Sequence, residues 1–202
     1  MLLVAGTIGI LLTGGSGNRG NKVPDFLYPA SSSCTPPAFP DPRLEHVTFT
    51  TPSGLVASCG GKARPPRGPV DAESLSSCLV LEAGKWSKDR RVPNLPHPRY
   101  YATAVTVAAT GVFLMGGYDR YGPTQTSLVL SGNGSWKEGP NLPSRGGDGA
   151  CSAAWGGSFF LIGGGNNYQV REYDTVKGRW EEEIKWPQLG QGRYTHGCSI
   201  LG

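Results

Sequence analysis

Four arginines recur in the same local setting, and arginine is a residue that can bind an anionic group. Each arginine closes a turn rich in proline or glycine; the turns are PPAFPDPR, PNLPHPR, PNLPSR and WPQLGQGR, which end at Arg43, Arg99, Arg145 and Arg193. A guanidinium group holds a carboxylate or a phosphate through two parallel hydrogen bonds. The same side chains could instead donate to loop carbonyls and serve structure alone, and the sequence leaves both roles open.

The three histidines do not indicate a metal or catalytic site. His46, His97 and His196 show no H-x-x-E-H spacing, and the chain has no C-x-x-C pair that would complete a zinc site. Two of them follow a recurrent arginine by three residues, which is typical of a position inside a structural repeat. We therefore expect no metal, no cofactor and no enzymatic activity.

One segment matches a dinucleotide-binding pattern in its letters only. The stretch GGSGNRG at 14–20 contains G-x-G-x-x-G at Gly15, Gly17 and Gly20, directly after an apolar run. A dinucleotide site needs a helix to follow, so that the helix N-terminus meets the pyrophosphate. The next residues, NKVPDFLYP, hold two prolines and no helical period, which favours a loop.

Five cysteines leave the redox state open. Cys59 and Cys78 lie on segments predicted to be neighbouring strands, so they could form a disulfide or remain buried thiols. Cys151 has no histidine and acid near it in sequence that would make it a nucleophile. The sequon Asn133-Gly-Ser135 is also a favourable hairpin turn, and so it does not fix the compartment.

Composition and charge exclude several classes of protein. The 31 glycines and 17 prolines alternate with short runs of Val, Leu, Ile, Phe and Tyr, which is typical of many short strands and few helices. The net charge of +4 is scattered, so no concentrated basic face indicates nucleic-acid binding. The first thirteen residues are too short to span a bilayer and lack a basic start and a cleavage site, so we expect no membrane partner.

The elements that would position these residues are internal repeats. An apolar run followed by Gly-Gly occurs four times, and the second glycines are Gly15, Gly61, Gly117 and Gly164, at intervals of 46, 56 and 47 residues. After each pair come a variable loop, a strand-like segment and then Trp86, Trp136 or Trp180, with Cys34 in the corresponding place of the first repeat. Each repeat closes on the turn that ends in arginine.

This order of marks resembles the kelch repeat, most fully in FFLIGGG…REYDTVKGRW…GR. The resemblance implies an all-β, kelch-type β-propeller of about four repeats, each a blade of four antiparallel strands. As a single domain over 1–202, the repeats would span about 1–43, 44–99, 100–145 and 146–193, with 194–202 as an extra first strand. Either the C-terminal strand closes the ring beside the first blade, or the chain is an incomplete propeller or a fragment of a longer one. We favour the second, because four kelch blades would close unusually tightly.

The resemblance also implies a binding surface. In kelch domains that bind acidic peptide motifs, arginines in the turn before the first strand and loops after Gly-Gly form the surface. The matching loop residues here are Tyr118, Asp119, Arg120, Asn166, Asn167 and Tyr168. The expected function is a non-enzymatic protein-interaction module that binds a short acidic protein or peptide segment. The alternative is a propeller enzyme or a carbohydrate-binding protein that uses the same face.

Overall fold

The computed structural model of the chain describes residues 37–63, 73–144, 147–165 and 167–199. These residues belong to one compact unit, Pro36–Gly202. The strands predicted for the first repeat, together with Cys34, lie outside the described residues. Within the described ranges the chain forms strands, turns and loops and no α-helix, and accordingly no helix there is suited to crossing a membrane.

Sixteen strands are formed in these ranges. They are β1 (Arg43–Leu44), β2 (Val47–Thr50), β3 (Val56–Cys59), β4 (Lys62–Ala63), β5 (Cys78–Glu82), β6 (Lys85–Ser87), β7 (Thr103–Val107), β8 (Gly111–Met115), β9 (Tyr118–Asp119), β10 (Gly122–Pro123), β11 (Ser127–Ser131), β12 (Ser135–Glu138), β13 (Cys151–Trp155), β14 (Ser158–Ile162), β15 (Val170–Asp174) and β16 (Arg179–Trp180).

Twelve of these strands build three four-stranded antiparallel sheets, each running through its strands in chain order. The first sheet is β2-β3-β5-β6, the second is β7-β8-β11-β12 and the third is β13-β14-β15-β16. The remaining strands form two short pairs, β1 with β4 and β9 with β10. The prediction of an all-β fold with four-stranded antiparallel units is therefore confirmed for the residues that the structure describes.

The sequence pattern explains why the three sheets pack face to face. Strand β7 alternates buried and half-buried residues, whereas all five residues of β8 are buried, because β8 lies inside a sheet that is covered on both faces. Phe113 and Leu114 therefore point to opposite neighbours. The ring centres of Phe113 and Phe159, which belongs to the third sheet, lie 4.7 Å apart. Leu114 packs into the core shared with the first sheet.

Two hydrophobic cores result, one between each pair of successive sheets. The core between the first and second sheets includes Val47, Phe49, Ala57, Val80, Val112, Leu114, Leu128 and Leu130. The core between the second and third sheets includes Val105, Val107, Phe113, Met115, Phe159, Leu161 and Tyr173. At about 25 cal/mol per Å² of apolar surface buried, these cores are the main stabilising contribution of the fold.

Two of the recurrent tryptophans, Trp136 and Trp180, join their sheet to the turn that precedes it. Trp136 packs against the core of the first and second sheets, and its indole donates to the Pro93 carbonyl at 2.8 Å. Trp180 packs against the next core and donates to the Asn141 carbonyl at 2.7 Å. A tryptophan is suited to this place because it buries a large ring and still satisfies its polar N–H.

The glycine pairs end the second strands, as the sequence predicts. Gly116 and Gly117 adopt φ angles of 61° and 80°, in the left-handed region that residues with a Cβ resist. A Cβ on Gly117 would lie 2.4 Å from the Tyr100 carbonyl oxygen. The glycines therefore let the start of one sheet run against its own second strand.

Among the described residues, two disulfides link positions far apart in sequence. Cys59 and Cys78 are direct partners across β3 and β5 and are bonded, the first of the two alternatives open from the sequence. Cys151 is bonded to Cys198, 47 residues along the chain, a pairing the sequence did not suggest. The described residues 194–199, for which the sequence predicts a further first strand, lie in no strand, and this disulfide holds them to β13.

The first strands lie side by side, with β2 against β7 and β7 against β13. The three antiparallel sheets are thus stacked in chain order, and their first strands are adjacent. This arrangement is consistent with a propeller-like fold and also with a β-sandwich.

Candidate functional site

The three sheets share one end, which we call the glycine-pair end. It is the end at which β3, β8 and β14 finish in Gly60-Gly61, Gly116-Gly117 and Gly163-Gly164. The turns that carry the recurrent arginines and the loops between second and third strands lie at this same end. The predicted site residues that the structure describes all belong to this end by topology. Arg145 and Asn166 lie outside the described residues.

Arg43 is buried, and its guanidinium group is held by the protein itself. Nη1 donates to the carbonyl oxygens of Gly60 at 3.2 Å and Ser77 at 3.0 Å. Nη2 donates to the Ser77 hydroxyl at 3.1 Å and to the Asp41 carboxylate at 2.6 Å. Arg43 thus ties the turn before the first strand to the end of β3 and the start of β5.

Arg99 repeats this arrangement in the second sheet. Nη1 donates to the carbonyls of Gly116 at 3.1 Å and Thr126 at 2.8 Å, and Nη2 donates to the Thr126 hydroxyl at 2.7 Å. The side chain is 5% exposed, and burial lowers the pKa of Arg99, an effect that the charge of Asp119 opposes. For Arg43 and Arg99 the structure therefore favours the structural role that the sequence left open.

Arg193 and Arg120 differ, because both are exposed. The main chain of Arg193 is fixed, since its carbonyl accepts from Gly164 at 2.7 Å and its N–H donates to Asn167 at 3.2 Å. The Arg120 guanidinium lies 4.7 Å from the centre of the Tyr121 ring. These two arginines can reach a partner, so the described arginines of this end are not equivalent: two are buried and two are exposed.

The predicted loop residues are held by local hydrogen bonds. Asp119 accepts from the N–H of Tyr121 at 2.7 Å, beside the short hairpin of β9 and β10. Asn167 accepts from the N–H of Gln169 at 2.8 Å, and the neighbouring Tyr168 is 54% exposed. Both loops therefore present polar and aromatic groups from fixed backbones.

A tyrosine cluster, formed by Tyr100, Tyr101 and Tyr118, lies at the same end. The rings of Tyr100 and Tyr118 stack with centres 5.2 Å apart, and Tyr101 lies 6.0 Å from Tyr100 and 6.3 Å from Tyr118. The stack forms because the main chains of Tyr100 and Tyr118 pair as an isolated β-bridge. Sequence reasoning selected Tyr118 but missed the other two; the signal was the pair of tyrosines directly after Arg99.

Charged groups surround this cluster. Lys62 Nζ lies 4.0 Å from the centre of the Tyr100 ring and 3.5 Å from Glu45 Oε2. The Glu45 carboxylate, as a hydrogen-bond acceptor beside the Tyr101 hydroxyl, raises the pKa of Tyr101. The negative charge of Asp148 raises the pKa of Tyr118. The two phenols therefore remain neutral hydrogen-bonding groups at physiological pH.

A chain of backbone hydrogen bonds fixes where these residues stand. The N–H of Tyr101 donates to Glu45 at 3.0 Å, that of Gly149 to Tyr101 at 2.8 Å, and that of Thr195 to Gly149 at 2.7 Å. All four residues have positive φ, at 55°, 57°, 64° and 49° for Tyr101, Glu45, Gly149 and Thr195. Three of them carry side chains, so this strained conformation is maintained by the bonds between sheets.

A cavity with a volume of about 410 Å³ lies beside Arg99. It is bounded by the turn before the second sheet, by the loop after Gly117 and by the end of β12. Its lining residues include His97, Arg99, Asp119, Arg120, Tyr121 and Glu138. Among the described residues no group of three or more His, Cys, Asp or Glu side chains is arranged to hold a metal ion.

Comparison with known proteins identifies a shared fold and no family. Neither a protein-family model nor a curated protein matches the chain. Among solved structures, the one entitled "Structure of YjhT" is similar, with a TM-score of 0.63 and 17% sequence identity. The match covers 80% of this chain and 60% of that chain, so the present chain spans about three fifths of that structure's length. At this identity the similarity shows the fold alone.

Proposed function

We propose that the chain forms a kelch-type β-propeller, or part of one, and acts as a non-enzymatic binding module that takes a protein or peptide segment at the glycine-pair end. The stacked four-stranded sheets, their adjacent first strands and the repeat marks in the sequence support the propeller arrangement.

The distribution of tyrosine carries the proposal. The chain has eight tyrosines, of which Tyr28 lies outside the described residues and Tyr173 lies in the core. The other six all lie at the glycine-pair end: Tyr100, Tyr101, Tyr118, Tyr121, Tyr168 and Tyr194. Tyr121, Tyr168 and Tyr194 are 81%, 54% and 60% exposed. Tyrosine provides a large contact area at low entropic cost, which is why binding surfaces are rich in it.

The charges at this end support an acidic partner segment. Arg120 and Arg193 are exposed and can hold carboxylates, whereas Arg43 and Arg99 are buried. Lys62 already has Glu45 as a partner and adds no free positive charge. The tyrosines therefore supply most of the contact area, and the two exposed arginines select for negative charge.

The alternative is a carbohydrate-binding protein or an enzyme that uses the same surface. The observation in its favour is that Glu45 and Asp148 lie beside tyrosine hydroxyls, because aromatic faces next to hydrogen-bonding carboxylates also suit sugar rings.

A selection experiment separates the two. The wild-type chain would be used to select binders from a displayed random peptide library and would be applied to a glycan array. A triple variant, Tyr121→Ala, Tyr168→Ala and Tyr194→Ala, removes exposed rings only. The matched control, Val176→Ser with Lys177→Ser, alters the turn between β15 and β16 at the opposite end, where Val176 is 90% exposed.

We expect acidic peptides to be enriched by the wild type and the control, and enrichment to fall at least tenfold for the triple variant. Glycan binding that is lost in the triple variant, with no peptide enrichment, would replace the proposal by its alternative. Equal losses in the control and the triple variant would show that the glycine-pair end is not the binding surface.

A further inference from the structure

The two buried arginines occupy equivalent positions, but only one of them has a counter-charge. Arg43 and Arg99 each donate to the first glycine of a pair and to the residue just before a third strand, which is Ser77 or Thr126. Two residues before Arg43 stands Asp41, whose carboxylate lies 2.6 Å from Nη2. Two residues before Arg99 stands His97.

This difference leaves Arg99 with an unused donor. Nη2 of Arg43 donates to both Asp41 and Ser77, whereas Nη2 of Arg99 donates to Thr126 alone among the described residues. Arg99 is buried, with only 5% of its surface exposed. Nevertheless, no carboxylate in the described part of the chain comes within 4.0 Å of it. A buried cation without a counter-charge is costly, so buried charges are normally paired.

The cavity of about 410 Å³ adjoins this arginine. His97 and Arg99 form one side of it, and Arg120 adds a second guanidinium group. Two carboxylates also face the cavity. One oxygen of Asp119 accepts from the Tyr121 N–H at 2.7 Å, and Glu138 stands at the end of β12. A ligand carboxylate would therefore favour the side of the cavity formed by Arg99 and Arg120.

We propose that this cavity binds a carboxylate, which takes on Arg99 the place that Asp41 takes on Arg43. Under the proposed function, on which this part rests, the carboxylate belongs to an aspartate or glutamate side chain of the bound segment. The cavity then recognises one acidic side chain, while the tyrosines at the glycine-pair end contact the rest of the segment.

Replacing His97 tests the proposal, because this exposed residue holds the position equivalent to Asp41. His97→Asp supplies the missing carboxylate from the protein itself, and His97→Asn is its neutral match in size. The probe is N-acetyl-aspartate amide, an aspartate side chain without charged termini, and N-acetyl-asparagine amide is the neutral control probe. Binding is measured by titration calorimetry and by the ligand-dependent rise in Tm.

We expect saturable binding of the aspartate probe to the wild type and to His97→Asn, and at least a tenfold loss for His97→Asp. Without probe, His97→Asp should melt at a higher temperature than His97→Asn. Equal binding of the two probes, or undiminished binding by His97→Asp, would overturn the proposal.

The result also separates this proposal from the proposed function. If the aspartate probe binds but the peptide selection yields nothing, the cavity proposal stands and the protein-binding function fails. If acidic peptides are selected yet bind His97→Asp as tightly as the wild type, the function stands and this cavity is not its acidic subsite. Acetate as a third probe distinguishes a site for any small carboxylate from one that requires the amide groups of a peptide.

Discussion

Replacing Arg43 by methionine should destabilise the fold far more than the same change at Arg193. Methionine keeps much of the buried stem but removes every donor, so the carbonyls of Gly60 and Ser77 lose charged hydrogen bonds of 3.2 and 3.0 Å. Ser77 still accepts from the Gly60 N–H at 3.0 Å, so the Gly60 carbonyl is the acceptor left unsatisfied. Leaving a buried acceptor unsatisfied costs roughly 1–3 kcal/mol. The lost ion pair adds little, because Asp41 is 49% exposed and screened by water.

The expected loss in the free energy of unfolding is about 3 kcal/mol, since removing a buried charge also relieves part of its desolvation cost. For a chain of this size that loss lowers Tm by roughly 6–12 °C. Urea unfolding followed by tryptophan fluorescence, with calorimetry for Tm, measures both quantities. Arg193→Met is the matched control, and we expect a change within about 0.5 kcal/mol because Arg193 is exposed.

A second comparison, Arg43→Lys, tests the geometry rather than the charge. Lysine is a point charge without the planar fork that reaches two carbonyls at once, so it should recover less than half of the loss. If Arg43→Met unfolds within 0.5 kcal/mol of the wild type, or no differently from Arg193→Met, then Arg43 does not hold the turn to β3 and β5 and the reasoning is wrong.

Three further outcomes can be checked by unfolding measurements. Gly117→Ala should cost at least about 2 kcal/mol, because its Cβ would meet a carbonyl at 2.4 Å, whereas Gly84→Ala, with equally positive φ and open space, should cost about 1 kcal/mol. Cys198→Ser should lower the free energy of unfolding by about 4 kcal/mol, from the closure entropy of the loop to Cys151, and intact wild type should show that disulfide by non-reducing peptide mapping. Burial, with help from the Arg43 charge, lowers the pKa of His46 below 6.5 in the folded chain. As pH drops below 6.5 the unfolded chain therefore binds a proton that the folded chain does not, and the free energy of unfolding should fall. His46→Gln should flatten that fall between about pH 6.5 and 5.

Local sequence patterns predicted most strands of the three sheets, but not the short pairs β1–β4 and β9–β10. The glycine pairs, the tryptophans and the arginine turns each depend on a few consecutive residues, and these marks located the strands of all three sheets. The second strand of the second sheet, for example, ends at Met115, directly before the Gly116-Gly117 pair that predicted its end.

The site was harder to predict because its chemistry depends on residues distant in sequence. Whether Arg43 faces solvent or core depends on carbonyls 17 and 34 residues away. The stack of Tyr100 on Tyr118 needs a β-bridge between a turn and a loop that no local pattern announces. The bond from Cys151 was missed because its partner, Cys198, lies in a segment that the repeat pattern predicted to be a strand.

The bond between Cys151 and Cys198 also has a mechanical consequence. It joins the start of the third sheet to the segment after that sheet. If the chain is pulled from a point before Cys151 and a point after Cys198, the force passes through the disulfide and bypasses β14, β15 and β16. The enclosed 47 residues represent about 160 Å of contour length at full extension. In a pulling experiment that length stays hidden until a reductant is added, so the third sheet keeps its shape under a load that would unravel the first two.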